Sequence, residues 1–370
     1  MAEIDVNTLT RTVIWWGFGL GVIFGFFANK TNFCTMGAVS DVVNMGDWGR
    51  MRAWLLAIAV AIIGTNYLAW SGAINLGKTI YTSQNLPWLS HIVGGFLFGI
   101  GMTLASGCGN KTLVRVGGGN LKAVVVFMYM AYAAYLTLKG VFAPVRIAIG
   151  QVQTQLPVPQ TLPHLLQGSF GLDLPTAQLV FALVIGGALI AFVVFNRHFW
   201  ENKDNFLGGL VVGAVIVAGW YITGHLGWAE NPETLEEMAF GTNSKLLESM
   251  SFIAPSAYTI ELWALWTDKG TVVTWGIATV FGVGIGSFLY ATATKAFRWE
   301  HFISAQDMFR HMIGAVLMGF GGVTALGCTI GQGITGFSTL SLGSIITFLS
   351  IVAGAAATMK YEYWRMMREA

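Results

Sequence analysis

The stretch His91-Ile-Val-Gly-Gly-Phe-Leu-Phe-Gly-Ile-Gly-Met-Thr-Leu-Ala-Ser-Gly-Cys108 decides the architecture, because the chain holds a second version of it. Shifted by 220 residues it lies, without a gap, on His311-Met-Ile-Gly-Ala-Val-Leu-Met-Gly-Phe-Gly-Gly-Val-Thr-Ala-Leu-Gly-Cys328. Eight positions coincide, from His91/His311 through Gly99/Gly319 to Cys108/Cys328. Each version is an apolar run long enough for a membrane helix, closed by a small-residue turn that bears a cysteine. The third cysteine, in Asn32-Phe-Cys34-Thr-Met-Gly37, has the same setting, and a Gly lies nine residues before each of the three (Gly25, Gly99, Gly319). No other cysteine occurs in the 370 residues, and separations of 74 and 220 exclude a compact Cys-x-x-Cys metal site or redox pair. One local device, used three times, is the expectation.

Composition sets that device in a membrane. Hydrophobic residues make up 55% of the chain, charged residues 10%, and Gly fills 47 positions. A soluble domain carries about 25% charge, so this chain cannot cover its own surface in water and reads as an all-α polytopic membrane protein. A dispersed net charge of +2 excludes a nucleic-acid binder. Apolar runs predict nine spans: Thr12–Ala28, Ala53–Gly72, His91–Gly107, Leu121–Leu138, Thr176–Phe195, Phe206–Gly224, Val272–Thr292, His311–Gly327 and Ser341–Met359. Gln151–Pro175, with four of the eight prolines, is expected as an irregular or partly helical loop outside the membrane. His225–Glu248 is acidic, with Glu230, Glu233, Glu236, Glu237 and Glu248 against Lys245. Phe252–Trp266 is apolar but short and interrupted by Pro255, which predicts a re-entrant hairpin or an interfacial helix.

Basic residues near span ends set the orientation. With nine spans, Arg50, Arg52, Lys111, Arg115, Lys122, Arg197, Lys203, Lys295, Arg298, Arg310, Lys360, Arg365 and Arg368 share one side, and the acidic loop takes the other. Lys78, Lys139 and Arg146 depart from the rule. The N-terminus is therefore expected outside and the C-terminus in the cytoplasm. Met1–Arg11, with Glu3, Asp5 and one Arg, lacks the basic start of a cleaved signal peptide. In this frame the two versions of the opening stretch cross in opposite directions. Inverted repeats with interrupted helices mark secondary transporters, whose substrates bind near the membrane midplane. The chain is thus expected as a single membrane transport domain, residues 1–370, with inverted halves of about 1–175 and 176–370.

The stretches after the cysteines, between Cys34 and Arg50, Cys108 and Leu121, and Cys328 and Ser341, are too short to span and too apolar for solvent loops. Irregular backbone at membrane depth survives only inside protein or along a water-filled path, so all three are expected to be re-entrant. Their Gly-rich turns present backbone N–H groups, which favour an anion. Neutral thiols are weak donors and suit a soft, polarizable, sulfur-bearing anion. An odd number of separated cysteines argues against a permanent disulfide. A soft-metal site or covalent sulfur exchange stays open, although only Met36 lies close to a cysteine. No nucleophile–base pair, metal-ligand cluster or nucleotide-binding loop marks an enzyme, and no cofactor is expected.

The segments Phe24-Gly-Phe-Phe-Ala-Asn-Lys-Thr-Asn-Phe-Cys34, Gly101-Met-Thr-Leu-Ala-Ser-Gly-Cys108 with Arg115-Val-Gly-Gly-Gly-Asn-Leu121, and Gly319-Phe-Gly-Gly-Val-Thr-Ala-Leu-Gly-Cys328-Thr-Ile-Gly-Gln-Gly-Ile-Thr-Gly336 resemble the three motifs of the YeeE/YedE family. The resemblance covers nearly the whole chain apart from loops 151–175 and 225–270. It implies nine spans around central re-entrant loops, in the bacterial inner membrane. It also implies uptake of thiosulfate along a relay of S–H hydrogen bonds from Cys34, Cys108 and Cys328; a selenium compound or another sulfur species is the alternative. A small sulfur-carrier protein of the TusA type is implied as a separate partner, since no such domain follows Met359. Asn110-Lys111 departs from the small residues usual after the second cysteine, which adds a cation beside the path or changes the anion accepted.

Several residues admit two readings. Lys111 and Arg115 either neutralise a dianion or serve orientation, and Lys30 shares that ambiguity. Asp41 is either a proton-coupling carboxylate inside the membrane or the charged rim of its turn. Gly117-Gly118-Gly119-Asn120 reads as a tight lead into the fourth span. His91 and His311 read as caps or interfacial residues, and Trp15, Trp16, Trp299 and Trp364 as interfacial anchors.

Overall fold

The computed structural model describes residues 6–171, 173–232 and 234–369; Glu3, Asp5 and Glu233 of the charge reading lie outside the described residues. All nine expected spans appear as long helices. In chain order the helices are α1 (Val6–Lys30), α2 (Thr35–Ser40), α3 (Gly49–Trp70), α4 (Trp88–Leu104), α5 (Gly109–Gly117), α6 (Leu121–Lys139), α7 (Ala143–Gly150), α8 (Leu162–Phe170), α9 (Leu174–Val194), α10 (Arg197–Glu201), α11 (Lys203–Tyr221), α12 (Ile253–Ala264), α13 (Trp275–Ala293), α14 (Ala305–Thr324) and α15 (Leu342–Glu369). Among the described residues eight helices are long and apolar enough to cross a membrane. The ninth long helix, α14, falls short because it opens on Ala305-Gln-Asp-Met-Phe-Arg-His311. Its polar opening is largely exposed, and burial begins at His311, from where it packs among α4, α6 and α12. Among the described residues sheet is confined to two antiparallel two-stranded ribbons: Asn85–Leu86 with Thr154–Gln155, and Trp228–Glu230 with Glu237–Ala239.

In lipid the hydrophobic effect does not drive helices together, so close packing of small residues must. The glycines nine residues ahead of the cysteines do this. A Cβ on Gly25 of α1 would stand 2.1 Å from Val283 O of α13, on Gly99 of α4 2.2 Å from Ile351 O of α15, and on Gly319 of α14 2.4 Å from Met130 O of α6. Each therefore marks a crossing where two backbones touch, a fixed distance before its turn. The two versions of the opening stretch, α4 and α14, also pack on each other antiparallel, with reciprocal contacts. Gly94 faces Gly321 and Ala325, while Gly314 faces Gly101 and Ala105.

One end of the bundle is basic. Lys122 binds Asp307, Arg310 binds Glu362, and Arg52 lies over the Phe192 ring, so the starts of α3, α6 and α14 gather with the ends of α9 and α15. Trp15, Trp16, Trp299 and Trp364 are exposed, as interfacial anchors must be.

The structure resolves three local expectations. Pro255 sits in the first turn of α12, where the missing N–H is no loss, so of the two readings of Phe252–Trp266 the helix holds, over Ile253–Ala264, packed on α6 and α13. Loop 151–175 is ordered by a strand and by α8, and it braces α15: Leu162 N donates to Leu340 O (3.0 Å) and Gln160 Oε1 accepts from Gly343 N (3.1 Å). His91 and His311 are buried packing residues: His91 Nδ1 lies 2.7 Å from Thr347 Oγ1 on α15, and His311 Nδ1 lies 2.8 Å from Asp307 O.

Candidate functional site

The three cysteine turns share one backbone. Two residues before each cysteine, Asn32, Ser106 and Leu326 take left-handed conformations with φ of 51°, 56° and 60°. The next residue then reaches back five positions: Phe33 N to Ala28 O (3.1 Å), Gly107 N to Met102 O (2.9 Å) and Gly327 N to Gly322 O (2.8 Å). This is the Schellman closure of a helix. It reverses the chain so that each cysteine becomes the first residue of a new short helical segment. Cys34 caps α2 and its thiol accepts from Gly37 N at 3.4 Å. Cys328 accepts from Gly331 N at the same 3.4 Å, ahead of the π-helical turn Gly331–Gly336. Cys108 caps α5. All three thiols are free and buried.

The thiols converge, and Cys108 is the middle one. The Cys34 and Cys108 thiols face each other, and Cys328 also lies within electrostatic reach of Cys108. Cys108 donates to Asn110 Oδ1 at 2.7 Å and, more weakly, to Thr35 Oγ1 at 3.8 Å. The Thr329 hydroxyl also faces it.

Lys111 and Arg115, both on α5, hold the turns. Lys111 Nζ donates to Asn32 Oδ1, across from α5 to the Cys34 turn, and Arg115 Nη1 donates to Ser106 O (2.7 Å) in the Cys108 turn. Lys111 thereby lies beside both Cys34 and Cys108. Lys30 is exposed and takes no part.

Sequence reasoning missed Arg50 as a member of the site. Its guanidinium lies against Gly37, where a Cβ would meet Nη1 at 2.3 Å, and it grips Asp41 through both Nε and Nη2. Asp41 is accordingly an ion-paired brace of the Cys34 turn. Asn110, Thr35 and Thr329 were missed too, although Thr follows Cys in two of the three turns. Gly119, with φ of +93°, and Asn120, which accepts from Ala123 N at 2.9 Å, cap α6 as a tight lead-in.

Toward the opposite end lies a cavity of about 190 Å³ lined by Tyr81, Glu248, Ser249, Ser251, Tyr258 and Gly327, its floor one residue short of Cys328. Glu248 Oε1 accepts from Ser244 N (2.9 Å) and Ser244 Oγ (2.5 Å). Burial pushes its carboxyl above the ordinary carboxylate range, and the Ser244 bonds oppose the rise. No group of three or more His, Cys, Asp or Glu able to hold a metal ion occurs among the described residues.

The arrangement is thus a cluster of buried soft donors between a largely apolar cavity that carries a few hydroxyls and a cationic cluster. Comparison with known proteins points to sulphur transport. The chain is 24% identical over 371 residues to the thiosulfate transporter TsuA of Escherichia coli (strain K12), covering 95% of each chain. It is 25% identical over 353 residues to the thiosulfate transporter TsuA of Spirochaeta thermophila, covering 92% of this chain and 97% of that one. Residues 30–357 match the family model described as sulphur transport, which takes in all three cysteine turns. The chain belongs to the sulphur-transport family.

Proposed function

We propose that the protein carries thiosulfate across a bacterial inner membrane, into the cell, through the row of Cys328, Cys108 and Cys34. The observation that carries this reading is the set of three free, buried thiols in one repeated turn, placed between a cavity at one end and cations at the other. Thiosulfate is a dianion with a soft terminal sulfur and three harder oxygens. A neutral S–H donates weakly, so each station holds the sulfur end briefly and releases it to the next. Conduction needs that balance, since a site that binds too well does not empty. No thiol is consumed, and the protein acts as a carrier and not as an enzyme.

Direction follows from charge. The basic end is the cytoplasmic face under the positive-inside rule, which puts the N-terminus outside and the C-terminus inside. Lys111, Arg115 and Arg50 then draw the dianion inward past Cys34, and a separate TusA-type carrier would receive its sulfur there. Inverted halves of about 1–175 and 176–370 are supported by the reciprocal α4–α14 contact and by matching pairs: α1 with α13 and α11 with α3, α4 with α15 and α14 with α6. With Cys108 and Cys328 fully buried, the row is closed in this conformation, and passage requires the turns to move.

Uptake of radiolabelled thiosulfate into proteoliposomes tests the substrate. Unlabelled thiosulfate should compete fully, and sulfate, with no soft sulfur, should compete weakly. Stronger competition by selenite or sulfide than by thiosulfate would replace the substrate while leaving the path.

A further inference from the structure

Eight buried side-chain polar atoms lack a hydrogen-bond partner among the described residues, and two of them flank the same thiol. Asn110 Nδ2 and Thr329 Oγ1 sit at Cys108, on residues 0% and 1% exposed. A buried donor left unpaired costs about 1–3 kcal/mol, and such groups are rare enough to require a reason. Their placement supplies one. Asn110 is the second residue of α5, and its Oδ1 is held by the Cys108 S–H at 2.7 Å, which fixes the amide plane and leaves both amide hydrogens for another partner. Thr329 follows Cys328, so its hydroxyl projects from one thiol turn toward the thiol of another. A thiol offers one hydrogen, and that of Cys108 must swing from Asn110 Oδ1 to take the sulfur end of an oxyanion; the oxygens are left unmet.

We infer that Asn110 Nδ2 and Thr329 Oγ1 form a two-donor clamp for the oxygen end of a tetrahedral sulfur oxyanion at the Cys108 station. This deepens the thiosulfate reading and rests on it. The clamp is preorganised, because both donors are buried on cysteine turns whose backbone holds them in place. Thiols would select for the sulfur and the clamp for the oxygens, so an ion carrying both is held best.

Two substitutions separate the clamp from a structural role. Asn110→Asp keeps the shape and the acceptor for Cys108 but replaces the donor with an oxygen that repels the ion. Thr329→Val removes a hydroxyl whose contact in the protein is with the Cys108 thiol, a weak partner. In proteoliposomes loaded with the purified full chain, the KM for labelled thiosulfate should rise roughly tenfold or more in Asn110→Asp, and roughly threefold or more in Thr329→Val. The melting temperature of Thr329→Val should stay level or rise, since an unpaired buried group has been removed. A wild-type KM in either variant overturns the clamp, and so does a Thr329→Val protein whose uptake falls only in step with its melting temperature. If Asn110→Asp does not accumulate in membranes, Thr329→Val decides alone. Absence of saturable thiosulfate uptake by the wild-type protein is the separate result that overturns the underlying reading.

Discussion

The two ends of the cysteine row are built from opposite chemistry. At Cys34 the surroundings are cationic: Lys111 beside the thiol, Arg50 against Gly37, Arg115 on the neighbouring turn. At Cys328 they are neutral hydroxyls and one carboxyl: Tyr81, Tyr258, Ser249, Ser251 and Glu248. The backbone, by contrast, is the same at both, down to the left-handed residue two positions before each cysteine. One turn therefore supplies the geometry twice over, and the side chains around it supply a direction. On the proposed path, an anion leaving the cavity would move toward increasing positive charge, without any change in the donor that holds it.

The largest expected effect attacks what the ends have in common. Gly25→Val forces side-chain atoms into Val283 O, where even a Cβ would stand at 2.1 Å, and α1 then cannot lie on α13. No native-like monodisperse protein should be recovered, and size-exclusion profiles in detergent check this. A native profile would show that the crossing does not set the turn.

The next breaks the cationic end. Arg50→Ala leaves the buried Asp41 carboxylate unpaired; such a loss costs 3–5 kcal/mol when both partners are buried. With Arg50 one-third exposed, about 2 kcal/mol is the expected loss of stability. Uptake should fall with it, and Asp41→Asn in the same chain should restore the melting temperature without restoring uptake. Recovery of both would mean that Arg50 acts only as a brace.

A third sharpens the neutral end. Burial raises the pKa of Glu248, so below the raised value the carboxyl is neutral and above it the group is ionised. A carboxylate in the cavity repels a dianion, so uptake should decline as pH on that side rises through the folded-state pKa. Tyr81 and Tyr258 face the same group, and Lys139, near Tyr258, is already bound to Glu261, so no free cation among these residues offsets it. Glu248→Gln should flatten the profile; an unchanged slope would assign it to another group.

The smallest effect concerns the strained turn. Leu326 is half-exposed with φ of 60°, and a left-handed β-carbon-bearing residue costs about 1–2 kcal/mol. Leu326→Gly relieves this but gains chain entropy in the unfolded state, so the melting temperature should rise only slightly, by differential scanning.

Much of this was legible in the sequence, for identifiable reasons. The spans were, because the contrast between lipid and water writes itself as long apolar runs. The three turns were, because the nine-residue Gly-to-Cys interval records a backbone crossing that only glycine permits. What stayed hidden depends on which side chains meet after folding. Arg50 read as an orientation charge, and Asp41 as a proton-coupling carboxylate or a rim charge, because nothing in a nine-residue interval shows that a π-turn brings them face to face. Asn110 looked like a departure from a pattern, and only its unpaired nitrogen gives that departure a use. Pro255 read as a break because its place in the first turn of α12 depends on where that helix begins.

The central claim is that Cys108 is the middle station between two unlike ends, and one measurement tests it most directly. Initial rates of labelled thiosulfate uptake should be compared between wild-type and Cys108→Ala protein, in proteoliposomes of equal protein content and melting temperature. A drop to the protein-free background is the result the account predicts, and a rate within twofold of wild type would contradict it.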